Sequence, residues 1–329
     1  MNEKARWAAA THRIEHHLVV PGPLERHEGG RHELRSLRMA ASNGYRLPLG
    51  TGALQSTLRA LQPDVVLLHD PFWGTLARRV DAPVVAVHHS SSALHAAALP
   101  GPQRLYAGAF RAWIRHAYAG VDAVMSVVDT TADAGRGPDL PLRFGLHPSF
   151  RPDPGAGQGP HVLYVGRLAR EKGIFGLLEA AAHSEEPWPL HVMGSGPAGD
   201  AVAARADALG LGGRVRYLPF EADAERLAAA YRGAACVVMP GEHETFGLVA
   251  LEAAASGAAV VACGTAPSVE VLGGAAETFR PGDRLGLLAA IERARLNPPG
   301  HAAAAALAER LTWARAFEAE LRDLERVLG

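Results

Sequence analysis

Two carboxylates and two cations carry most of the chemistry this sequence can do. Glu244 and Glu252 stand in Gly241-Glu-His-Glu-Thr-Phe-Gly-Leu-Val-Ala-Leu-Glu252, and Arg167 and Lys172 in Val165-Gly-Arg-Leu-Ala-Arg-Glu-Lys-Gly173. The apolar run Ala235 to Met239 leads into the first stretch, Thr245-Phe-Gly247 makes a turn, and the pattern predicts a helix from about Gly247. The leading N–H groups of a helix have no partner inside it, so backbone donors over Phe246, Gly247, Leu248 and Val249 form a site for an anion such as a diphosphate. Acids beside an anion site make sense for a sugar nucleotide, whose hydroxyls flank its diphosphate and donate to carboxylates. Glu244, in the loop, then holds the sugar, and Glu252, on the second helical turn, the ribose. The plainer alternative is a helix start whose acids complement the dipole.

Arg167 and Lys172 follow an apolar strand pattern directly, where open α/β sheets bind ligands. Arg offers a planar fork of donors and Lys a compact charge, and both suit a diphosphate. A departing nucleoside diphosphate gathers negative charge, so fixed cations lower that barrier. Gly166 opens this loop, Gly173 closes it, and Arg170 and Glu171 read as solvated. Met193-Gly-Ser-Gly-Pro197 puts Gly194 and Gly196 in a second strand-end turn. There is no G-x-x-x-x-G-K-[ST], which counts against phosphoryl transfer from ATP. In the first half, Pro83-Val-Val-Ala-Val-His-His-Ser-Ser-Ser92 is a strand ending in His88 and His89, whose side chains must diverge. Pro63-Asp-Val-Val-Leu-Leu-His-Asp-Pro-Phe72 carries His69, which suits either site lining or structural capping.

These groups need a scaffold, and the apolar pattern supplies an α/β one. Strands are predicted at His17–Val20, Asp64–Leu68, Val84–His88 and Ala123–Val128, with helices over 52–61, 73–79 and 103–118. Residues 145–160, dense in Pro and Gly, read as a linker. The pattern then restarts with strands at His161–Val165, Leu190–Met193, Val215–Leu218, Ala235–Met239 and Ala259–Ala262. Helices are predicted over 173–183, 199–209, 223–232 and 247–256. Trp313, Phe317, Leu321, Leu324 and Leu328 repeat at helical spacing in the tail.

At 329 residues the chain suits two domains. With 48% hydrophobic and 20% charged residues it is of the globular, soluble class, and a formal net charge of −1 offers no field for nucleic acid. Its start lacks the apolar stretch of a signal peptide, and no run suits a membrane span. Cys236 and Cys263 read as buried thiols of a reducing cytosol. The expected location is therefore cytoplasmic. The 16 histidines include no His-Glu-x-x-His, and His27 and His32 are spaced wrongly for a ligand pair, so no metal and no cofactor are expected.

Residues 244–257 resemble the E-x7-E signature of retaining glycosyltransferases of family 4, and residues 165–173 that family's V-G-R-x-x-x-x-K-G pattern. Gly194 and Gly196 are similar to its G-x-G-P loop. The segment Arg216 to Phe220, with Leu218, resembles the strand end whose backbone meets the base. The His88 and His89 segment is similar to its P-V-V-x-x-x-H, with His89 at the position near the donor sugar. His69 matches the second His of a P-D-V-V-H-x-H-x-P segment.

The resemblance implies a GT-B fold, α/β with two Rossmann-like domains whose parallel sheets face a cleft. It implies an acceptor-side domain at 1–147, a nucleotide-sugar domain at 148–298, and C-terminal helices at 299–329, the last packing back on the first domain. The implied reaction moves a hexose, with retention, from a UDP-sugar or GDP-mannose to a glycan, lipid or small-molecule acceptor. Cell-envelope glycan synthesis and peripheral contact with the inner membrane face are compatible with that activity. The implied roles are support of the sugar by His89, of the diphosphate by Arg167 and Lys172, of the hexose by Glu244 and of the ribose by Glu252. Two alternatives stay open: a nucleotide-sugar-binding protein without transfer, and a nucleotide-sugar epimerase on the same fold. The family opens with a strand, a Gly-Gly loop and a long helix. Here Met1 to Ala10 reads as the end of that helix, so the first strand is expected to be missing and activity weak.

Overall fold

The computed structural model describes residues 2–38, 46–48, 52–69, 80–89, 103–127 and 138–328. The chain divides into two compact units, Met1–Arg143 with Trp313–Gly329, and Phe144–Thr312.

In the first unit, helix α1 (Asn2–Thr11) precedes β1 (Leu18–Gly22), β2 (Arg26–Glu28), β3 (Arg31–Arg38) and β4 (Arg46–Pro48). The order is β1-β3-β2 with β4 also on β3. The β1–β3 pair is parallel, while β2 and β4 run antiparallel to β3. Gly29 and Gly30, both at positive φ, close the two-residue β2–β3 hairpin, as such turns require. This sheet is therefore mixed where parallel strands were expected, and β2 to β4 were not predicted. In β3 the buried Leu34 and Ser36 alternate with exposed Arg35 and Leu37, so no apolar run marks it.

The second sheet is parallel throughout: β5 (Val66–Leu68), β6 (Val84–His88), β7 (Ala123–Ser126) and β8 (Asp139–Pro141), in that order. Helix α2 (Gly52–Leu61) precedes it and α3 (Gln103–Ala117) lies between β6 and β7. Alternation along β6 sends Val84 and Ala86 toward Ile114 and Tyr118, and Val85 and Val87 toward Met125 and Leu324. The helix expected over 73–79 lies outside the described residues.

The second unit holds one parallel sheet of β9 (Val162–Val165), β10 (Leu190–Met193), β11 (Val215–Leu218), β12 (Cys236–Met239), β13 (Val260–Cys263) and β14 (Ala276–Phe279). Its helices are α4 (Ile174–His183), α5 (Gly199–Ala208), α6 (Ala224–Gly233), α7 (Leu248–Ala255), α8 (Pro267–Leu272), α9 (Arg284–Leu296) and α10 (His301–Arg310). Val162, Val238 and Val261 pack into the core on one face, with Leu177 and Ile291. Leu163, Val237 and Val260 pack into that on the other, with Leu251 and Tyr231. Burial on both faces is why these strands read as unbroken apolar runs.

The Pro- and Gly-rich stretch 145–160 does more than connect. Leu146 and Phe150 are buried in the second unit, and Leu146 forms a bridge with Thr312. The C-terminal residues 299–329 divide: α10 packs on α7, whereas α11 (Trp313–Leu328) packs on α1 within the first unit. Trp7 meets Phe317 at 5.7 Å between ring centroids, and Lys4 pairs with Glu320. Among the described residues no helix is long and apolar enough to cross a membrane.

Candidate functional site

The sheet order of the second unit is β11-β10-β9-β12-β13-β14, so the winding reverses between β9 and β12. Open α/β sheets bind ligands beyond the carboxyl ends of the strands at such a reversal. The loops found there are 166–172 after β9 and 240–247 after β12, the two that carry the cations and the acids.

Close backbone packing sets these loops. A Cβ on Gly194 would lie 2.1 Å from the Gly166 carbonyl oxygen, and one on Gly173 would lie 2.4 Å from that of Pro240. Both have positive φ, 139° and 71°, so side chains are excluded twice over. Leu168 N–H donates to Ser195 at 3.0 Å, and Ala198 N–H to Leu168 at 2.9 Å. The turn with Gly194 and Gly196 thus clamps the Arg167 loop. On the other side, Thr265 donates to the Glu242 carbonyl at 3.0 Å, and Gly282 N–H to the Glu242 carboxylate at 2.7 Å. These fix the loop that presents Glu244.

The structure joins the two motifs through their charges. Lys172 Nζ donates to both carboxylate oxygens of Glu244, each at 2.9 Å. The side chains are 26% and 12% exposed, so this pair is more sheltered than an ordinary surface bridge. Arg167 pairs with Glu171 four residues along. The expectation that Glu171 is a solvated bystander therefore changes, because it neutralises one of the two candidate phosphate cations. Arg170 lies over the Phe175 ring, 5.1 Å from its centroid. Tyr164, its phenol pushed well above its ordinary range by burial and then by the Glu244 charge, stays protonated and donates to the Arg167 carbonyl at 2.9 Å.

Helix α7 begins at Leu248, with Gly247 as a left-handed N-cap and no side chain capping its first turn. That turn also carries no acid, and Leu248 is exposed, so an anion can approach the helix end. The ring of Phe246, half-buried, packs at a tilt on Phe144 with centroids 4.1 Å apart. Leu218 at the end of β11 accepts from Gly194 N–H at 3.2 Å, so its carbonyl already serves the glycine turn. Glu252, half-buried on α7, accepts from the Tyr231 phenol at 2.9 Å, and burial raises its carboxyl above the usual range. Tyr231 is a residue the sequence reading missed, since an apolar helix face hides an aromatic partner.

In the first unit the two histidines at the end of β6 separate as alternation demands. His88 is 4% exposed and its ring meets Tyr118 edge-on. His89 points the other way, and its Nε2 shares a hydrogen bond of 3.0 Å with Nδ1 of His69, which follows β5. Desolvation, with Coulombic help from His89 and Lys4, holds His69 down to about 4, and desolvation lowers His89 too. The pair is therefore neutral at physiological pH. Three further histidines form a ladder on the mixed sheet, His17 to His32 at 3.0 Å and His32 to His27 at 2.9 Å. Different ring nitrogens of His32 serve the two contacts, and among the described residues no three such side chains converge as metal ligands do.

Comparison with known proteins gives this geometry a family. Residues 149–306 match the family model described as Glycosyl transferases group 1, and residues 4–137 the one described as Glycosyltransferase Family 4. The chain is 35% identical over 183 residues to D-inositol 3-phosphate glycosyltransferase of Mycobacterium tuberculosis. That alignment covers 51% of this chain and 37% of the relative, so the chain matches little more than a third of the relative's length. Among solved structures, sucrose-phosphate synthase from Thermosynechococcus elongatus superposes with a TM-score of 0.71 at 22% identity, covering 94% of this chain and 86% of that one. Anabaena Alr3699/HepE, solved in complex with UDP-glucose, gives 0.65 at 18% identity, covering 84% and 81%. Fold and domain matches agree: the chain is of the GT-B glycosyltransferase type, a Glycosyltransferase Family 4 domain followed by a Glycosyl transferases group 1 domain.

Proposed function

We propose that the protein is a retaining hexosyltransferase that moves a sugar from a nucleoside diphosphate to an acceptor hydroxyl. The observation that carries the proposal is the Lys172–Glu244 pair at the sheet reversal, beside the uncapped start of α7. Lys172 and Arg167 hold the diphosphate, and the α7 backbone donors share its charge. Glu244 accepts from the hexose hydroxyls and Glu252 from the ribose. His89, by resemblance, supports the sugar. As the bond to the sugar breaks, charge builds on the leaving diphosphate, and cations already in place stabilise it without reorganising. The acceptor hydroxyl attacks on the face that the diphosphate vacates.

The solved neighbour with UDP-glucose bound supports a nucleotide sugar as donor. UDP-sugars and GDP-mannose are the donors to test. The names of the similar proteins include inositol 3-phosphate and sucrose phosphate, so phosphorylated polyols and sugars belong in the acceptor panel. A thermal-shift screen of UDP- and GDP-sugars, followed by product analysis with that panel, tests the function. A ligand that binds only the folded state raises its apparent stability. Stabilisation by one nucleotide sugar, with transfer at retained anomeric configuration, is the expected result. Binding without transfer to any acceptor would leave a binding protein, and inversion at the anomeric carbon would overturn the retaining mechanism.

A further inference from the structure

Glu252 does not stand alone in the site. Tyr231, near the end of α6, is fully buried and packs beside Phe150, with ring centroids 6.0 Å apart. Its surroundings are apolar, including Leu251, Ala250 and Val237. A phenol in such a place must find a partner for its O–H, and the one it finds is Oε2 of Glu252 at 2.9 Å. Helices α6 and α7 pack side by side, so both ends of this bond are carried on rigid elements. Among the described residues no bond is made to the other oxygen, Oε1.

The chemistry of the pair is specific. A carboxylate on a long side chain has several rotamers and offers lone pairs in several directions. The Tyr231 bond occupies one oxygen and selects one rotamer, so the remaining lone pairs have a fixed direction. Ligand groups that meet a preorganised acceptor do not have to supply the ordering cost themselves. A site built to accept from a hydroxyl rejects an analogue that lacks it far better than a flexible one does.

We propose that Tyr231 is a positioning residue that aims Glu252 Oε1 at the ribose hydroxyls and so makes the site selective for ribonucleotides over deoxyribonucleotides. The proposal rests on the reading of Glu252 as the ribose acceptor. Tyr231→Phe keeps the ring and the core volume and removes only the O–H. It also removes a donor that favours the ionised carboxylate, which burial already disfavours.

The experiment measures dissociation constants of UDP and GDP, and of their 2′-deoxy and 3′-deoxy forms, for wild type, Tyr231→Phe and Glu252→Gln. The wild type should prefer at least one ribonucleotide over a deoxy form. Tyr231→Phe should bind that ribonucleotide about 5- to 10-fold more weakly, bind the deoxy form almost as the wild type does, and show its acid limb of binding at higher pH. A purely structural tyrosine would lower the melting temperature and leave both the ribo-to-deoxy ratio and the pH limb unmoved, and that result overturns the proposal. If Glu252→Gln keeps the ratio, or if neither UDP nor GDP binds the wild type, the ribose reading itself fails. If Glu252→Gln loses the ratio while Tyr231→Phe keeps it, the ribose reading stands and the Tyr231 role falls.

Discussion

Replacing Glu244 with Gln should separate diphosphate affinity from turnover, in opposite directions. In the unliganded protein Lys172 is held by two bonds of 2.9 Å to Glu244. An incoming diphosphate must share or displace that carboxylate, and both are negative. At an effective dielectric near 20, two charges about 4 Å apart interact by roughly 4 kcal/mol before desolvation and ordering are charged against it. Pairs exposed to water retain about 0–1 kcal/mol net, and hydrogen bonds to charged groups about 1.5–3. With one partner 26% and the other 12% exposed, the restraint on Lys172 falls between those classes, at about 1 kcal/mol. Gln keeps the shape and removes the charge, so the variant should bind the nucleoside diphosphate about five-fold more tightly. Turnover of the nucleotide sugar should fall on the order of 100-fold, because Gln is a weaker acceptor where the hexose hydroxyls sit. Calorimetry with UDP or GDP and steady-state kinetics with the full donor read the two effects separately. Diphosphate affinity that stays the same or weakens would show that Lys172 is not the phosphate cation, or that Glu244 is needed to hold it in place.

Lys172→Ala should lower turnover by about 100-fold or more while cooperative unfolding persists, and near-normal kinetics with the true donor would remove Lys172 from the mechanism. Gly194→Ala should destabilise the second unit by more than about 3 kcal/mol, since its Cβ would meet the Gly166 carbonyl at 2.1 Å, and an unchanged urea midpoint would contradict the clamp. Stability should rise with pH between about 4 and 6.5, because there the unfolded chain binds a proton at residue 69 that the folded ring, held near 4, refuses. The same contribution is lost as pH falls through that window, and His69→Gln should flatten the slope. Equal pH dependence of melting in wild type and variant would refute it.

Much of the second unit was legible because its strands are buried on both faces. Val162–Val165, Cys236–Met239 and Val260–Cys263 admit no charged residue, and their ends were expected within a residue of where they lie. Edge strand β14, Ala-Glu-Thr-Phe, alternates polar with apolar residues and was not seen, nor was the long helix α9 after it. In the first unit β3 hid for the same reason, with arginines at both ends and Leu34 its one buried apolar residue among the described side chains. The site was legible as residue types but not as pairs. Nothing in spacing says that Lys172 would bind Glu244 or Tyr231 reach Glu252, since tertiary packing makes those contacts, whereas Arg167 and Glu171 pair locally at four residues' spacing. Which of His88 and His89 turns inward was likewise undecidable from alternation, which says only that they differ.

The partnership of α1 with α11 has a consequence for how the protein is made. A ribosome delivers Trp7 before, and Phe317 after, all of Phe144–Thr312. At about 5–20 residues per second, that interval lasts on the order of ten seconds or more. Throughout it, the sheet face bearing Val85, Val87 and Met125 waits for Leu324, and Trp7 waits for its aromatic neighbours. Among the described residues the core of the second unit draws only on Phe144–Thr312, so it can fold while the first still stands open. The unit whose first segment precedes Phe144–Thr312 is thus completed only after the second unit has been made.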